Sequence, residues 1–306
     1  MKNILFRTNS SSLIGTGHIM RDLVFAKQFK DDNIIFAVQN LKGNINYKIK
    51  ESGYKIELLE QNSIKELINI IKRYDISTII IDSYDIDFKY EKKLKDKTNI
   101  KIVSFDDTYE KHHCDVLINH NIYANSKKYK NLVPNSCEIR CGSKYTLLRD
   151  EFYIQKKIKD NKSTNEKKSK KIKNIFLCMG GSDHSNISLK ILKVLKKFDN
   201  IKVFLATTKS NQNIQKLNKY AKDNSFLNIF IDHTNIAKLI RRSDLCIVPP
   251  SVILNEVYFM NIPFIAIKTA SNQKYMYKYL KKNDFCTLKS FDKKLFFNSL
   301  EKYLQI

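Results

Sequence analysis

The chain has 306 residues and a formal net charge of +24. Domains usually contain roughly 100–200 residues, so this length predicts two of them, and a hydrophobic content of 42% excludes a disordered chain. No apolar run approaches the roughly 20 residues of a membrane span, and the short apolar run at the N-terminus is typical of a strand rather than a signal peptide. We therefore expect a cytoplasmic monomer without stable membrane association.

The positive charge raises nucleic acid as a partner. The lysines, however, are spread along the whole chain, and no basic stripe with aromatics, zinc-finger signature or RRM signature is present. We expect no nucleic-acid partner. The six cysteines form no C-x-x-C pair, which favours free thiols over a disulfide framework or a zinc site.

The first half of the chain alternates β-branched apolar runs with amphipathic stretches, which predicts a parallel sheet covered on both faces by helices. The predicted strands span residues 2–6, 33–38, 54–59, 78–82 and 100–105, and the predicted helices span residues 18–30 and 64–74.

Residues 156–172 form a Lys-rich run with almost no apolar content, which predicts a solvated linker. The alternation then restarts, with predicted strands at 174–179, 201–206, 226–231, 245–248 and 263–267 and helices at 187–198, 211–224 and 292–304. The sequence therefore predicts an α/β protein of two Rossmann-like domains, residues 1–155 and 173–306. Ligands favour domain junctions and the carboxyl ends of parallel strands, so we expect a cleft between the domains to bind the ligand.

The loop after the first strand carries Gly15 and Gly17 and leads straight into a helix. Glycines there let backbone N–H groups approach an anion at the helix N-terminus. A dinucleotide fingerprint would need a third glycine where Met20 stands, and an acidic residue where Gln39 and Asn40 stand. A nicotinamide enzyme is therefore disfavoured.

His18 opens this helix at the carboxyl end of the first strand. The positive helix end disfavours the imidazolium ion, and a neutral histidine facing a cleft is suited to act as a general base; a packing role is the alternative. Arg21 lies on the same helix face and is expected to bind a phosphate or sugar group, or else a carboxylate.

A second small-residue loop follows the strand at 174–179 and contains Gly180 and Gly181, whose amides could hold a diphosphate. Ser182 or Asp183 is expected to cap the following helix. Glu256 lies on a later helix, where its carboxylate could accept both ribose hydroxyls or be a solvated charge.

Several motifs run in order over nearly the whole chain, and together they are far more specific than each alone. They are Phe6-Arg7, Gly15-x-Gly17-His18-x-x-Arg21, Ile81-Asp82-x-Tyr84, Phe105-Asp106-Asp107, Met179-Gly180-Gly181-x-Asp183, Ile231-Asp232-His233, Asn255-Glu256 and Asn272-Gln273. In these motifs the chain resembles the PseG family, the UDP-2,4-diacetamido-2,4,6-trideoxy-β-L-altropyranose hydrolases of pseudaminic acid biosynthesis.

The resemblance implies a GT-B fold, related to the UDP-GlcNAc transferase that makes lipid II, and a reaction that needs no metal or other cofactor. It implies that His18 activates water for attack on the anomeric carbon, that UDP leaves by C–O cleavage with inversion, and that Tyr84 holds the sugar or orients His18. The second domain would bind UDP. The expected substrate-binding residues are Arg7, Gly15, Gly17, Arg21, Gly180, Gly181, Asp232, His233, Ser251, Asn255, Glu256, Asn272 and Gln273.

Three alternatives remain open from the residues. A GT-B glycosyltransferase would share the UDP site but need an acceptor, and a non-catalytic UDP- or nucleic-acid-binding module would have no need for His18. A metal-dependent transferase would use Asp106 and Asp107 as a metal–diphosphate clamp, although adjacent acids after a strand are more often caps or surface charges.

Overall fold

A computed structural model describes residues 1–162, 172–183 and 185–304. The chain divides into two compact units, Met1–Leu147 and Leu148–Ile306. Each unit contains one sheet in which all the strand pairings are parallel. The predicted α/β class is confirmed. In the described ranges, no helix is long and apolar enough to cross a membrane.

The first unit has seven strands and four α-helices. The strands are β1 (Asn3–Thr8), β2 (Asn33–Gln39), β3 (Lys55–Leu59), β4 (Ile76–Asp82), β5 (Lys101–Phe105), β6 (Val116–Asn119) and β7 (Glu138–Cys141). The helices are α1 (Gly17–Ala26), α2 (Asn46–Glu51), α3 (Ile64–Arg73) and α4 (Phe88–Thr98). The strand order is β3-β2-β1-β4-β5-β6-β7, so the order reverses between β1 and β4. Ligands of doubly wound sheets bind at this switch point, outside the carboxyl ends of the strands.

Both faces of this sheet are buried, which explains why its strands are continuous apolar runs. Successive residues of β1 point to opposite faces: Leu5 packs with Leu67 of α3, and Phe6 packs under α1. The Phe6 ring stacks on Phe36 at 4.8 Å and meets Phe25 of α1 edge-on at 6.2 Å between ring centroids. This aromatic packing holds α1 against the sheet and so fixes where the helix begins.

In its described residues, the second unit has six strands and seven α-helices. The strands are β8 (Asn174–Leu177), β9 (Lys202–Thr207), β10 (Leu227–Ile231), β11 (Leu245–Val248), β12 (Phe264–Ile267) and β13 (Thr287–Leu288), in the order β10-β9-β8-β11-β12-β13. The helices are α5 (Asp150–Lys162), α6 (Ile187–Leu195), α7 (Ile214–Lys222), α8 (Ile236–Arg241), α9 (Val252–Phe259), α10 (Lys274–Lys282) and α11 (Lys293–Leu304).

The boundary between the units differs from the predicted one at residue 155, because α5 begins at Asp150 and belongs to the second unit. Residues 156–162 of the predicted linker are helical. The Lys159 ammonium group donates to the carbonyl oxygens of Met260 and Asn261 at 2.9 and 2.6 Å. Amino-acid composition does not distinguish a lysine that donates to the free carbonyl groups at the end of a helix from a solvated lysine. Residues 163–171 of the predicted linker lie outside the described residues.

Candidate active site

The first candidate site lies at the switch point of the first sheet. Thr8 ends β1 directly beside Asp82, which ends β4, and α1 begins at Gly17 after the intervening loop. Within that loop Gly15 donates its N–H to the Ser11 carbonyl at 2.8 Å, with a φ of +88° that favours glycine. The loop turns tightly, so His18 in the first turn of α1 reaches Asp82 at the end of β4.

His18 and Asp82 form a buried pair in which Nδ1 lies 2.6 Å from Oδ1. The His18 side chain is 8% exposed and the Asp82 side chain 1%. An ionised carboxylate only accepts, so the short contact requires a proton on Nδ1. Within the described part of the chain, the hydrogen bond of the His18 ring is the one from Nδ1 to Asp82; Arg21 Nη2 lies 3.3 Å from the same nitrogen but cannot donate to it while it carries that proton. In the neutral ring Nε2 therefore carries the lone pair, which is the state that a general base needs.

Arg21 holds the other side of the Asp82 carboxylate. Its Nε donates to Oδ2 at 2.5 Å and its Nη2 donates to Oδ1. Burial by itself raises the pKa of Asp82, but Arg21 and His18 hold this pKa well below its usual range. The guanidinium is 4% exposed, and its Nη1 lies 3.6 Å from Asp107. The carboxylate alternative for Arg21 is observed, and its contact with substrate stays a prediction.

Tyr84 follows β4 and is the more open member of this group, with 48% of its surface exposed. Its ring meets the His18 ring edge-on at 5.0 Å between centroids. Its hydroxyl donates to the Asp107 carboxylate, at 2.8 Å from Oδ1 and 2.9 Å from Oδ2. Burial raises the pKa of Asp107, although Arg21 and His18 oppose this. Tyr84 thus sits beside His18 with surface left for a ligand.

Asp106 lies inside a tight turn after β5. Its Oδ1 accepts from the Thr108 amide and hydroxyl at 3.0 and 2.9 Å, and its Oδ2 accepts from the Tyr109 amide at 2.7 Å and the Tyr129 hydroxyl at 2.5 Å. This is the capping role rather than the metal–diphosphate clamp. Among the described residues, no three His, Cys, Asp or Glu side chains are grouped so that they could hold a metal ion.

A buried ion network supports that turn. His112 Nδ1 lies 2.8 Å from Glu91 Oε1 of α4, and its Nε2 lies 3.9 Å from Asp106 Oδ1. Glu91 also accepts from the Ser104 hydroxyl at 2.6 Å. Burial alone lowers the pKa of His112, but the Asp106 and Glu91 carboxylates raise it to about 10. His112 is therefore a buried cation that anchors the turn preceding Asp107.

His112→Gln should destabilise the protein by about 3 kcal/mol at pH 6, because it leaves two buried carboxylates without their cation. The protonated ring stabilises the fold in full below the unfolded pKa of about 6.5, and this contribution is lost as pH rises towards 10. Urea unfolding of both proteins at pH 6 and pH 10 tests this. An equal difference at the two pH values would contradict the network.

His120 was not singled out from the sequence. It follows β6, is 1% exposed and lies with its Nε2 3.5 Å from Arg21 Nη1. Burial and then Arg21 lower its pKa to about 3, so it is neutral. Its Nδ1 accepts from the Leu147 amide at 3.4 Å. β6 is only four residues long, and no local signal in the sequence marks the histidine after this strand.

Arg7 is separated from this cluster. Its side chain is fully buried, and its Nε and Nη2 donate to Asn62 Oδ1 at 3.2 and 2.8 Å. Its Nη1 donates to the Thr8 carbonyl at 3.1 Å. Arg7 thus supports the backbone at the end of β1 from a fully buried position, and its contact with substrate stays a prediction.

In the second unit, Gly180 and Gly181 lie in the loop between β8 and α6, and Gly180 has a φ of +90°. The Gly181 carbonyl accepts from the Thr208 amide at 3.2 Å, which ties the loop to the end of β9. Asp183 accepts from the amides of Ile187 at 2.9 Å and of the next residue at 3.0 Å, so Asp183 caps α6 as predicted.

Asp232 and His233 follow β10. Asp232 has a φ of +48°, donates its amide to the Thr207 carbonyl at 3.0 Å and accepts from the Lys209 amide at 3.3 Å. The His233 ring packs on Phe230 at 5.1 Å between centroids. Both residues therefore lie at the same carboxyl edge of the sheet as Gly181.

Ser251 directly precedes α9, and Asn255 and Glu256 lie within this helix, which follows β11. Glu256 is buried, and its Oε1 accepts from Arg149 Nη2 at 3.2 Å. Burial raises the pKa of Glu256 to about 6, against the effect of Arg149. Glu256 is thus not a solvated helix charge. Arg149 also pairs with Glu151 at 2.9 Å, and no role was predicted for it from the sequence.

Asn272 and Gln273 lie in a short 3-10 helix after β12. The Gln273 side-chain oxygen accepts from the amides of Thr269 and Ala270 at 2.7 and 3.2 Å. Gln273 therefore shapes the loop at the carboxyl end of β12, where Asn272 also lies.

No protein-family model matches the chain. A UDP-2,4-diacetamido-2,4,6-trideoxy-β-L-altropyranose hydrolase of Campylobacter jejuni is 43% identical over 282 residues, which is 92% of this chain and 97% of the relative. This identity spans both units.

Two solved structures resemble the chain. MurG of Acinetobacter baumannii has a TM-score of 0.61 and 13% identity, covering 100% of this chain and 91% of MurG. UGT89C1 of Arabidopsis thaliana, complexed with UDP, has a TM-score of 0.64 and 12% identity, covering 99% of this chain and 91% of UGT89C1. At these identities the likeness concerns the fold alone, and it confirms the predicted GT-B type.

Proposed function

The chain belongs to the family of the UDP-2,4-diacetamido-2,4,6-trideoxy-β-L-altropyranose hydrolases, and on this premise we propose that it hydrolyses that nucleotide sugar to UDP and the free sugar. The observation that carries the proposal is a histidine whose Nδ1 is bound to a buried aspartate 2.6 Å away, at the switch point of a parallel sheet. Such a histidine can take a proton from water without help from a metal.

In the proposed mechanism, Nε2 of His18 removes a proton from a water molecule as the water oxygen attacks the anomeric carbon. The new C–O bond forms as the bond between that carbon and the UDP oxygen breaks, and UDP leaves with the electron pair. Attack from the face opposite UDP inverts the anomeric configuration. The ionised Asp82 carboxylate stabilises the imidazolium that forms, because it stays charged beside Arg21.

Tyr84 is proposed to contact the sugar beside the attacked carbon. Its ring packs edge-on against His18, and its hydroxyl is oriented by the Asp107 carboxylate. The position of its ring also limits how the imidazole turns, which supports an orienting role for Tyr84. A base held in one orientation gains rate through positioning.

We propose that the second unit binds UDP at the carboxyl edge of its sheet. Gly180 and Gly181 would face the diphosphate, and Asp232 and His233 would flank it from the end of β10. Ser251, Asn255 and Glu256 would contact the ribose, with Asn272 and Gln273 completing the edge. Support comes from the meeting of these segments at strand ends in a parallel sheet.

Glu256→Gln should weaken UDP binding about 10-fold or more, because the charge-assisted hydrogen bonds that a carboxylate makes to two hydroxyls are lost. Calorimetric titration with UDP at pH 8, where Glu256 is ionised, measures the effect. Glu151→Gln is the matched control, since Glu151 pairs with the same Arg149 and should leave the affinity within about threefold. Equal losses in both variants would remove the ribose contact from Glu256.

We further propose that the enzyme acts as a monomer on a small molecule, without nucleic acid. The six free cysteines support a reducing compartment, and we propose the cytoplasm.

The test is incubation of the purified protein with the UDP-linked diacetamido sugar alone in H₂¹⁸O. NMR should show UDP and the free sugar, first as the inverted anomer, and mass spectrometry should find the released UDP unlabelled. Turnover only with an added acceptor would favour a glycosyltransferase. Label in UDP would show cleavage at phosphorus and overturn the mechanism.

A further inference from the structure

Asp22 lies on α1 one turn after His18, and its side chain is fully buried. Both of its carboxyl oxygens lack a hydrogen-bond partner among the described residues, as does the buried Thr8 hydroxyl at the end of β1. The mechanism above makes no use of Asp22. A buried ionised carboxylate without donors is one of the costliest groups that a fold can contain.

Among the described residues, Arg21 is the cation that acts on Asp22, and its guanidinium already binds another carboxylate. Arg21 donates through Nε and Nη2 to both oxygens of Asp82, and His18 donates to the same carboxylate. The groups that act on the Asp22 carboxyl are the carboxylate of Asp82 from β4, the hydroxyl of Thr8 from β1, and Arg21 on its own helix. Two neighbouring carboxyl groups in such a site do not both ionise.

We propose that Asp22 is a neutral carboxylic acid whose hydroxyl donates to the Asp82 carboxylate, and that Asp22 is thereby a positioning residue for the His18–Asp82 pair. A protonated carboxyl has the O–H donor that the ionised form lacks. Protonation removes the buried charge and supplies Asp82 with a further donor. Burial raises the pKa of Asp22 well above its usual value and Asp82 raises it further, whereas Arg21 and the Thr8 hydroxyl lower it.

A neutral Asp22 would also help to orient His18, the proposed base. Asp82 would accept from three residues, Arg21, His18 and Asp22. Its carboxylate plane would then be fixed before substrate arrives, and the orientation of the His18 ring with it. The protonation of Asp22 does not depend on the proposed function. The role of Asp22 as a positioning residue does depend on that function.

The protonation state is tested by infrared difference spectroscopy at pH 8, without substrate. The wild-type spectrum minus that of Asp22→Asn should contain the C=O stretching band of a protonated carboxyl group. Asp31→Asn is the control, because Asp31 is exposed and its removal should delete carboxylate bands only. A wild-type minus Asp22→Asn spectrum with carboxylate bands alone would overturn the proposal.

The positioning role is tested with two near-isosteric variants. Asp22→Asn keeps a donor and should retain kcat within about threefold, while Asp22→Leu removes it and should lower kcat about 10-fold with KM unchanged. The acidic limb of the kcat/KM profile should move to higher pH in Asp22→Leu only, because Asp82 then stabilises the imidazolium more strongly. Equal losses in both variants, with unmoved profiles, would contradict the positioning role. If the wild type does not turn over, the infrared result still decides the protonation state.

Discussion

His18→Gln should lower kcat for release of UDP about 10³-fold, because a positioned general base contributes roughly 10²–10⁴ to such a reaction and glutamine cannot accept the proton from water. The side chains are similar in size, so the packing against Tyr84 is largely kept. Initial rates of UDP release at saturating substrate and pH 8 measure the effect.

Calorimetric titration should find the affinity of the His18→Gln variant for UDP unchanged, which separates chemistry from binding. His113→Gln is a suitable control, because the His113 ring packs on Phe88 at 5.5 Å and has no part in the proposed reaction. It should leave kcat within about threefold. Retention of more than about a tenth of wild-type kcat in His18→Gln would exclude His18 as the principal base.

Asp82→Asn should lower kcat about 10³-fold or more for a different reason. The amide carries no charge to stabilise the imidazolium, and its NH₂ group can bind Nδ1 and so place the ring proton on Nε2, the wrong tautomer for a base. The substitution also leaves the buried Arg21 guanidinium without its anion, which should destabilise the fold by about 3 kcal/mol.

Two measurements separate these effects of Asp82→Asn. Urea unfolding gives the loss of stability, and kcat measured well below the unfolding midpoint gives the loss of activity in folded protein. Asp87→Asn is the control, since Asp87 caps α4 away from the pair, and asparagine caps a helix about as well as aspartate, so stability and kcat should both stay nearly unchanged. A kcat within about tenfold of wild type would show that His18 works without the carboxylate.

Much of the fold could be predicted because the buried strands of both sheets are unbroken apolar runs. β11, predicted at 245–248, is observed as Leu245–Val248. The missed elements lack that signal: β6 and β7 have four residues each, and α4 is mostly polar on its exposed face. Residues 156–162 of α5 have the composition of a linker, because their lysines resemble solvated charge until their tertiary partners are known.

From the sequence, site residues could be predicted only where their position next to a predicted helix, strand or glycine loop, or in a family motif, marks them. His18 stands out because a helix begins there after a glycine loop, and Tyr84 because it belongs to the family pattern. The partner of His18 lies 64 residues away, so the sequence alone does not reveal that Asp82 holds its Nδ1. For the same reason the sequence left open whether Arg21 binds a substrate group or a carboxylate, and the structure shows its guanidinium bound to Asp82. The buried Asp22 carboxyl resembles an ordinary helix aspartate until the sheet is assembled.

The tautomer of His18 in the free enzyme tests the central claim most directly. ¹⁵N NMR of histidine-labelled protein, assigned by comparison with His18→Gln, should find a protonated Nδ1 and an unprotonated Nε2 at the pH of maximal hydrolysis. A ring protonated on Nε2, or on both nitrogens throughout the active pH range, would contradict the account, because His18 would then have no lone pair for water.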